Sequence, residues 1–148
     1  MAQYQSFPGA AGDSRTLDKL KALSLPSLAG RRFLDVGCNE GFFCGFASHA
    51  GAARVVGLDA SAGFIERARA RFPRCEFIAR SWDELPEGPF DVVLLASALH
   101  YAEDQPTLIH SLASRLSLDG DTPISSTSTP SSESRDASEW ISVGWSSA

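Results

Sequence analysis

Short, continuous apolar runs alternate with helical patterns through residues 31–119, and this alternation constrains the fold more than any other feature of the chain. Amphipathic or apolar helical patterns cover residues 41–50, follow Ser61, and follow Asp104. Strands that are apolar throughout, rather than at every second residue, are typical of a parallel sheet with both faces covered. The sequence therefore predicts an open α/β fold, a parallel sheet with helices on both faces, whose strands lie at residues 32–36, 54–58, 76–79 and 90–96.

Composition divides the chain into three regions. Residues 1–30 form a lead-in with one short helical pattern, in which Tyr4 and Phe7 belong either to a lid or to a frayed terminus. Residues 31–119 form the predicted domain. Residues 120–148 are rich in Ser and Thr, with little to bury, and we expect this tail to be disordered or irregular.

Charge and cysteine content exclude several classes of protein. The 148 residues carry 13 Lys and Arg against 18 Asp and Glu, so nucleic acid is not expected as the main partner. No apolar run approaches the roughly 18–20 residues of a membrane span, and the N-terminus lacks a signal pattern, which favours the cytoplasm. Three cysteines, Cys38, Cys44 and Cys75, lie in apolar surroundings, and neither a disulfide framework nor a metal site is expected.

Two loops of the predicted sheet carry the residue types of a nucleoside site. Gly37 and Gly41 follow the first strand, and between them Asn39 is placed to cap the next helix. Asp59 ends the second strand, where its carboxylate can accept hydrogen bonds from the two hydroxyls of a ribose. Because ligands of open α/β sheets bind at the carboxyl ends of the strands, we expect these loops to meet.

The spacing of the glycines argues against a dinucleotide. Nicotinamide and flavin sites use G-x-G-x-x-G, whereas Gly37, Gly41 and Gly45 follow G-x-x-x-G-x-x-x-G, with Asn39 where the middle glycine would stand. Asp35 is also unfavourable beside a pyrophosphate. Its carboxylate suits a ligand that carries an ammonium group.

The segments FLDVGCNEGFF, VVGLDAS and FDVVLLASALHY together resemble a class I S-adenosylmethionine-dependent methyltransferase with a Rossmann-like fold, over about residues 31–119. The resemblance implies S-adenosyl-L-methionine as the cofactor. It implies that Asp35 and the backbone of Gly37, Cys38, Asn39 and Gly41 hold the methionine part, that Asp59 holds the ribose, and that Ala60 lies against the adenine.

Two further loops complete the site that the resemblance implies. Ser81 stands where the family commonly has an aspartate, with Trp82 beside it as a wall for the adenine and Asp83 as an alternative acid. After the fourth strand, Ser97 is expected at the cofactor, whereas His100 and Tyr101 are the candidate catalytic residues in contact with the methyl acceptor.

The predicted function is methyl transfer to a small-molecule acceptor by in-line displacement. The family usually has three more strands, and here strands six and seven are missing or degenerate. A catalytically silent or truncated cofactor-binding module is therefore the alternative, and a nicotinamide-dependent oxidoreductase is disfavoured. A sheet edge left exposed at strand four or five would favour a homo-oligomer.

Overall fold

The computed structural model describes residues 3–12, 16, 18, 20, 25, 27–96, 103–115 and 140–145. The described strands and helices are β1 (Arg32–Val36), α1 (Phe42–His49), β2 (Arg54–Asp59), α2 (Ala62–Arg71), β3 (Glu76–Ala79), a 3-10 turn (Trp82–Glu84), β4 (Val92–Ala96), α3 (Gln105–Ala113) and β5 (Trp140–Trp145).

The strands form one sheet in the order β3-β2-β1-β4-β5. The first four are parallel, as predicted from their continuous apolar sequences. In the register, Asp35 of β1 lies between Gly57 of β2 and Leu94 of β4. The order reverses beside β1, and this is the position at which open α/β sheets bind ligands.

Each face of the sheet has its own apolar layer. On one face, Phe33 and Val55 pack with Phe43 of α1 and Ile65 of α2. Alternate strand residues point the other way, so Leu34, Val56 and Val93 pack with Leu108 and Leu112 of α3. The covered double-faced sheet confirms the predicted fold class.

Local signals in the sequence fix several helix ends. The Ser61 side chain accepts a hydrogen bond from the Phe64 N–H and caps α2. The Asp104 carboxylate caps α3 by accepting from the Thr107 N–H at 3.0 Å, with Pro106 in the first turn.

Asp91 is structural, because its carboxylate binds the Arg32 backbone N–H and guanidinium at 2.8–2.9 Å.

The fifth strand departs from an all-parallel sheet. β5 runs antiparallel to β4, with Ala96 opposite Trp140 and Leu95 opposite Ile141. It lies in the Ser/Thr-rich tail, at one of the few places where that tail has apolar residues. Pairing with β5 means that β4 is not a sheet edge, and the oligomeric state stays a prediction.

A search of the described residues finds no helix long and apolar enough to cross a membrane.

Candidate cofactor site

The loop between β1 and α1 lies across the carboxyl ends of two neighbouring strands. The N–H groups of Gly37 and Cys38 both donate to the Leu58 carbonyl, at 2.8 and 3.0 Å, and so bind the loop to β2. The Gly41 N–H closes the turn by donating to the Cys38 carbonyl at 3.0 Å. The predicted meeting of the first two loops is therefore present in the fold.

Three residues of this loop have left-handed backbone conformations. The φ angles are 78° at Gly37, 49° at Asn39 and 87° at Gly41. Gly41 is also restricted by packing, since a Cβ atom there would lie 2.9 Å from the Phe77 ring. The glycine at position 41 is thus required by backbone conformation and by the core behind it.

Asn39 does not cap α1, contrary to the expectation from sequence. Gly41 is the N-cap residue, and it has no side chain with which to cap the helix. Asn39 instead takes the left-handed turn itself, a conformation that asparagine tolerates better than most residues. Its backbone N–H donates to Asp59 Oδ2 at 2.9 Å.

Asp59 connects the two loops. Its Oδ2 accepts from the Asn39 N–H, and its Oδ1 accepts from the Ser61 N–H at 2.8 Å. A carboxylate has about four lone-pair sites, so about two remain for a ligand. Because Asp59 is only half-buried, those sites are accessible. Ala60 follows it and is exposed.

Asp35 is the unusual titratable group of the site. It is 1% exposed, and its Oδ1 has no hydrogen-bond partner among the described residues. Oδ2 lies 4.0 Å from the Cys44 thiol. Burial, and after it the negative charge of Asp59, raises the pKa of Asp35 to about 8. The carboxyl group is therefore largely neutral at pH 7 and has one oxygen available for a donor.

Cys38 of the loop and Cys44 of α1 are packing residues. Cys38 and Cys44 are both fully buried, and the Cys38 N–H and carbonyl are occupied by Leu58 and Gly41. Burial raises the pKa of the Cys44 thiol well above its usual value, so the thiol stays protonated. Within the described residues there is no group of three or more His, Cys, Asp or Glu arranged to hold a metal ion.

The loop after β3 lies next to Asp59. Asp59 pairs with Ala79 in the sheet, and the Arg80 N–H donates to the Asp59 carbonyl at 3.0 Å. Ser81 caps the following 3-10 turn by accepting from the Asp83 N–H. Trp82 packs partly against the apolar layer beneath α3.

A cleft of about 660 Å³ opens beside this loop. Ser81, Trp82 and Leu85 line one side, and residues of α3 line the other. The lining includes apolar side chains and the charged side chains of Glu103, Asp104 and Arg115, but none of Asp35, Asp59 and residues 37–41. Such a mixture of apolar and convergent polar groups is typical of small-molecule sites.

Three of the predicted site residues, Ser97, His100 and Tyr101, lie outside the described residues. Of the remaining predicted residues, Asp35 lies near the carboxyl end of β1 and Asp59 ends β2. Asn39 and Ser81, in the loops that follow β1 and β3, lie at the same end of the sheet.

Sequence reasoning missed two residues of the first loop's surroundings. Glu40 is 2% exposed, and its carboxylate accepts from the backbone N–H groups of Tyr4 and Gln5. Gln5 Oε1 in turn accepts from the Phe42 N–H at 3.0 Å, at the start of α1. The only signal in the sequence was an acidic residue between Asn39 and Gly41, which alone does not predict burial.

Known proteins resemble both the sequence and the fold. A family model described as a methyltransferase domain matches residues 33–120. A protein of Haemophilus influenzae described only as uncharacterized is 36% identical over 115 residues, which are 70% of this chain and 45% of that protein. A trans-aconitate 2-methyltransferase of Methylobacterium radiotolerans is 34% identical over 102 residues, 66% of this chain and 38% of that protein.

The fold matches a solved S-adenosylmethionine-dependent methyltransferase from Mesorhizobium loti with a TM-score of 0.62 and 38% sequence identity. The match covers 68% of this chain and 48% of that one. The chain thus spans less than half the length of each of these three proteins.

Proposed function

This chain belongs to the class I S-adenosylmethionine-dependent methyltransferases, and from that premise we propose that it binds S-adenosylmethionine and transfers a methyl group to a small-molecule acceptor. The observation that carries the proposal is the buried Asp35 carboxyl group, which has an unpartnered oxygen among the described residues and stands beside Asp59. An ammonium group would supply the donor and the positive charge that this carboxyl lacks.

The residues of the site fit the parts of this cofactor. Asp35 would hold the ammonium group of the methionine part, with the backbone of residues 37–41 around it. Asp59 would accept hydrogen bonds from the ribose hydroxyls through its remaining lone pairs. Ser81, Trp82 and Ala60 would surround the adenine, since Ala60 follows Asp59 and the loop that carries Ser81 and Trp82 is bound to Asp59 through the Arg80 N–H.

When bound, the cofactor supplies a methyl group on a sulfonium centre that is activated for displacement. The chain's own contribution is then to hold the two reactants in line, and orientation of this kind accounts for roughly 7–11 kcal/mol of a barrier. His100 and Tyr101, in the segment after β4, would contact the acceptor, and His100 would accept a proton from it where the acceptor arrives protonated.

The test is calorimetric titration of the purified chain with S-adenosylhomocysteine at pH 7, in two buffers of different ionisation enthalpy, with NADH as the control ligand. We expect S-adenosylhomocysteine to bind and NADH to fail. In the ligand-free protein the pKa of Asp35 is about 8, so its carboxyl group is largely protonated at pH 7. Pairing with an ammonium group should ionise it and release close to one proton on binding.

Absence of binding by a folded chain would refute the proposal. Binding with no methyl transfer from labelled cofactor to any acceptor would favour the alternative, a silent or truncated cofactor-binding module.

A further inference from the structure

The N-terminal residues 3–12, here called the strap, have a defined structure of their own. The backbones of Phe7 and Ala10 exchange two hydrogen bonds of 2.8 and 2.9 Å. The Gln3 side-chain amide donates to the carbonyls of Gln5 and Ala10, both at 2.8 Å. Gly12 closes the strap so tightly that a Cβ atom there would lie 2.4 Å from the Gln5 carbonyl oxygen.

The strap is held against the domain by an aromatic side chain. Phe7 is 6% exposed and packs against Phe42 of α1 and Phe72 at the end of α2, with ring centroids 5.7 and 5.9 Å apart. The Arg71 guanidinium lies 3.8 Å from the centroid of the Phe7 ring. Of the two alternatives that the sequence left open, a lid and a frayed terminus, these contacts favour the lid.

Glu40 binds the strap to the cofactor loop. Its buried Oε1 accepts from the backbone N–H groups of Tyr4 and Gln5, the latter at 2.9 Å. Its Oε2 lies 3.4 Å from Arg67 Nε, an ion pair in which Glu40 is 2% exposed and Arg67 34%. Loss of these partners would leave a buried polar group without hydrogen bonds, which is unfavourable.

The strap touches both helices that begin at the cofactor site. Gln5 Oε1 accepts from the Phe42 N–H in the first turn of α1. Tyr4 stacks on Phe64 in the first turn of α2, with centroids 6.1 Å apart. Since α1 follows the loop of residues 37–41 and α2 follows Asp59, the strap bridges the two loops proposed to hold the cofactor.

We propose that Glu40 is a positioning residue that latches the strap across these two loops and so couples closure of the strap to cofactor binding. The inference rests on the proposed function for the identity of the ligand. Glu40 stands between Asn39, whose N–H binds Asp59, and Gly41, which begins α1. Loss of the contacts of the Glu40 carboxylate would therefore loosen the loop at the point where it lies between Asp59 and α1.

The experiment uses Glu40→Gln in the full chain, with Glu76→Gln as the matched control. Glu76 is also paired to an arginine, Arg54, but its side chain is 56% exposed and lies on β3. Glutamine keeps the size of the side chain, but its single neutral oxygen is a weaker acceptor for the two N–H groups than the carboxylate, and its amide NH₂ leaves Arg67 without its anion. Hydrogen exchange of the strap and affinity for S-adenosylhomocysteine are measured for each protein.

In Glu40→Gln we expect faster exchange of residues 3–12 in the free protein and about tenfold weaker binding of S-adenosylhomocysteine. The control should match the wild type in both. In the wild type, S-adenosylhomocysteine should slow exchange of the strap by a similar factor, because coupling between two sites is reciprocal. A purely structural contact would not make exchange of the strap depend on the ligand.

Tyr4→Pro serves where Glu40→Gln fails to fold, since it removes one N–H donor to Glu40 and the ring that stacks on Phe64, and it leaves the buried carboxylate in place. Binding of S-adenosylhomocysteine that leaves strap exchange unchanged in the wild type would overturn the coupling and leave the proposed function intact. Normal affinity in a folded Glu40→Gln or Tyr4→Pro variant would overturn it equally. Failure of the wild type to bind would overturn both proposals.

Discussion

The buried Asp35 carboxyl group makes the stability of the free protein depend on pH in an unusual direction. Its pKa rises from 3.8 to about 8 on folding, because burial and the charge of Asp59 disfavour the ionised form. Between these values the folded chain holds a proton that the unfolded chain has released. Stability therefore falls as the pH rises through this window and changes no further above about pH 8.

The size of the effect follows from linkage. Each pH unit between the two pKa values costs about 1.4 kcal/mol of unfolding free energy. At pH 7 the accumulated cost is therefore on the order of 4 kcal/mol, from the shift of Asp35 alone. Asp35→Asn keeps the shape of the neutral acid and cannot ionise, so it removes this dependence.

The assay is urea unfolding of the wild type and Asp35→Asn in the absence of ligand, followed by tryptophan fluorescence at pH 5, 6 and 7. We expect the variant to gain stability relative to the wild type by about 2–3 kcal/mol between pH 5 and pH 7. The cost of burying an amide does not vary with pH in this range, so it cancels from the difference.

Asp91→Asn is the matched control. The hydrogen bond from Arg32 lowers the pKa of Asp91 despite partial burial, so the stability that Asp91 contributes is present above its unfolded pKa and is lost only at lower pH. We expect Asp91→Asn to be destabilised by about 1–3 kcal/mol at pH 5, 6 and 7 alike. A difference between wild type and Asp35→Asn that stays constant over the same range would refute the reasoning on Asp35.

Two further predictions concern the proposed cofactor site and the acceptor. Asp59→Ala should weaken binding of S-adenosylhomocysteine by about 1.5–3 kcal/mol, as measured by calorimetry against Glu66→Ala, whose exposed side chain lies on α2. Equal affinities for the two variants would remove Asp59 from the site. His100→Ala should leave that affinity unchanged and lower methyl transfer in a labelled-cofactor assay; lost binding would instead make His100 structural.

Local sequence determined much of the fold. Four apolar runs became the four parallel strands, with β1 and β3 at their predicted bounds, because strands buried on both faces need apolar side chains throughout. Ser61 and Asp104 capped their helices for reasons contained within three residues of chain. The placement of Asp59 beside the first loop followed equally from the strand order of such sheets.

Tertiary structure decided what depends on distant parts of the chain. The antiparallel pairing of β5 with β4 joins segments more than 40 residues apart, and local patterns carry no register for it. Asn39 was available as a helix cap, but it lies in a left-handed turn whose backbone N–H binds Asp59, 20 residues away, and the N-cap position falls at Gly41.

The burial of charged groups also lay beyond the sequence. From the sequence, Glu40 is expected to be an exposed residue of a loop. It is buried because residues 3–12 fold over it, and two backbone N–H groups of this segment donate to its carboxylate. Asp35 was recognised as a candidate ligand of an ammonium group, but its raised pKa depends on how completely the surrounding layers exclude water. Periodicity and local capping thus determined the helices and strands by themselves. The burial and the hydrogen-bond partners of Glu40, and the raised pKa of Asp35, depend on desolvation and long-range contacts, which exist only in the folded chain.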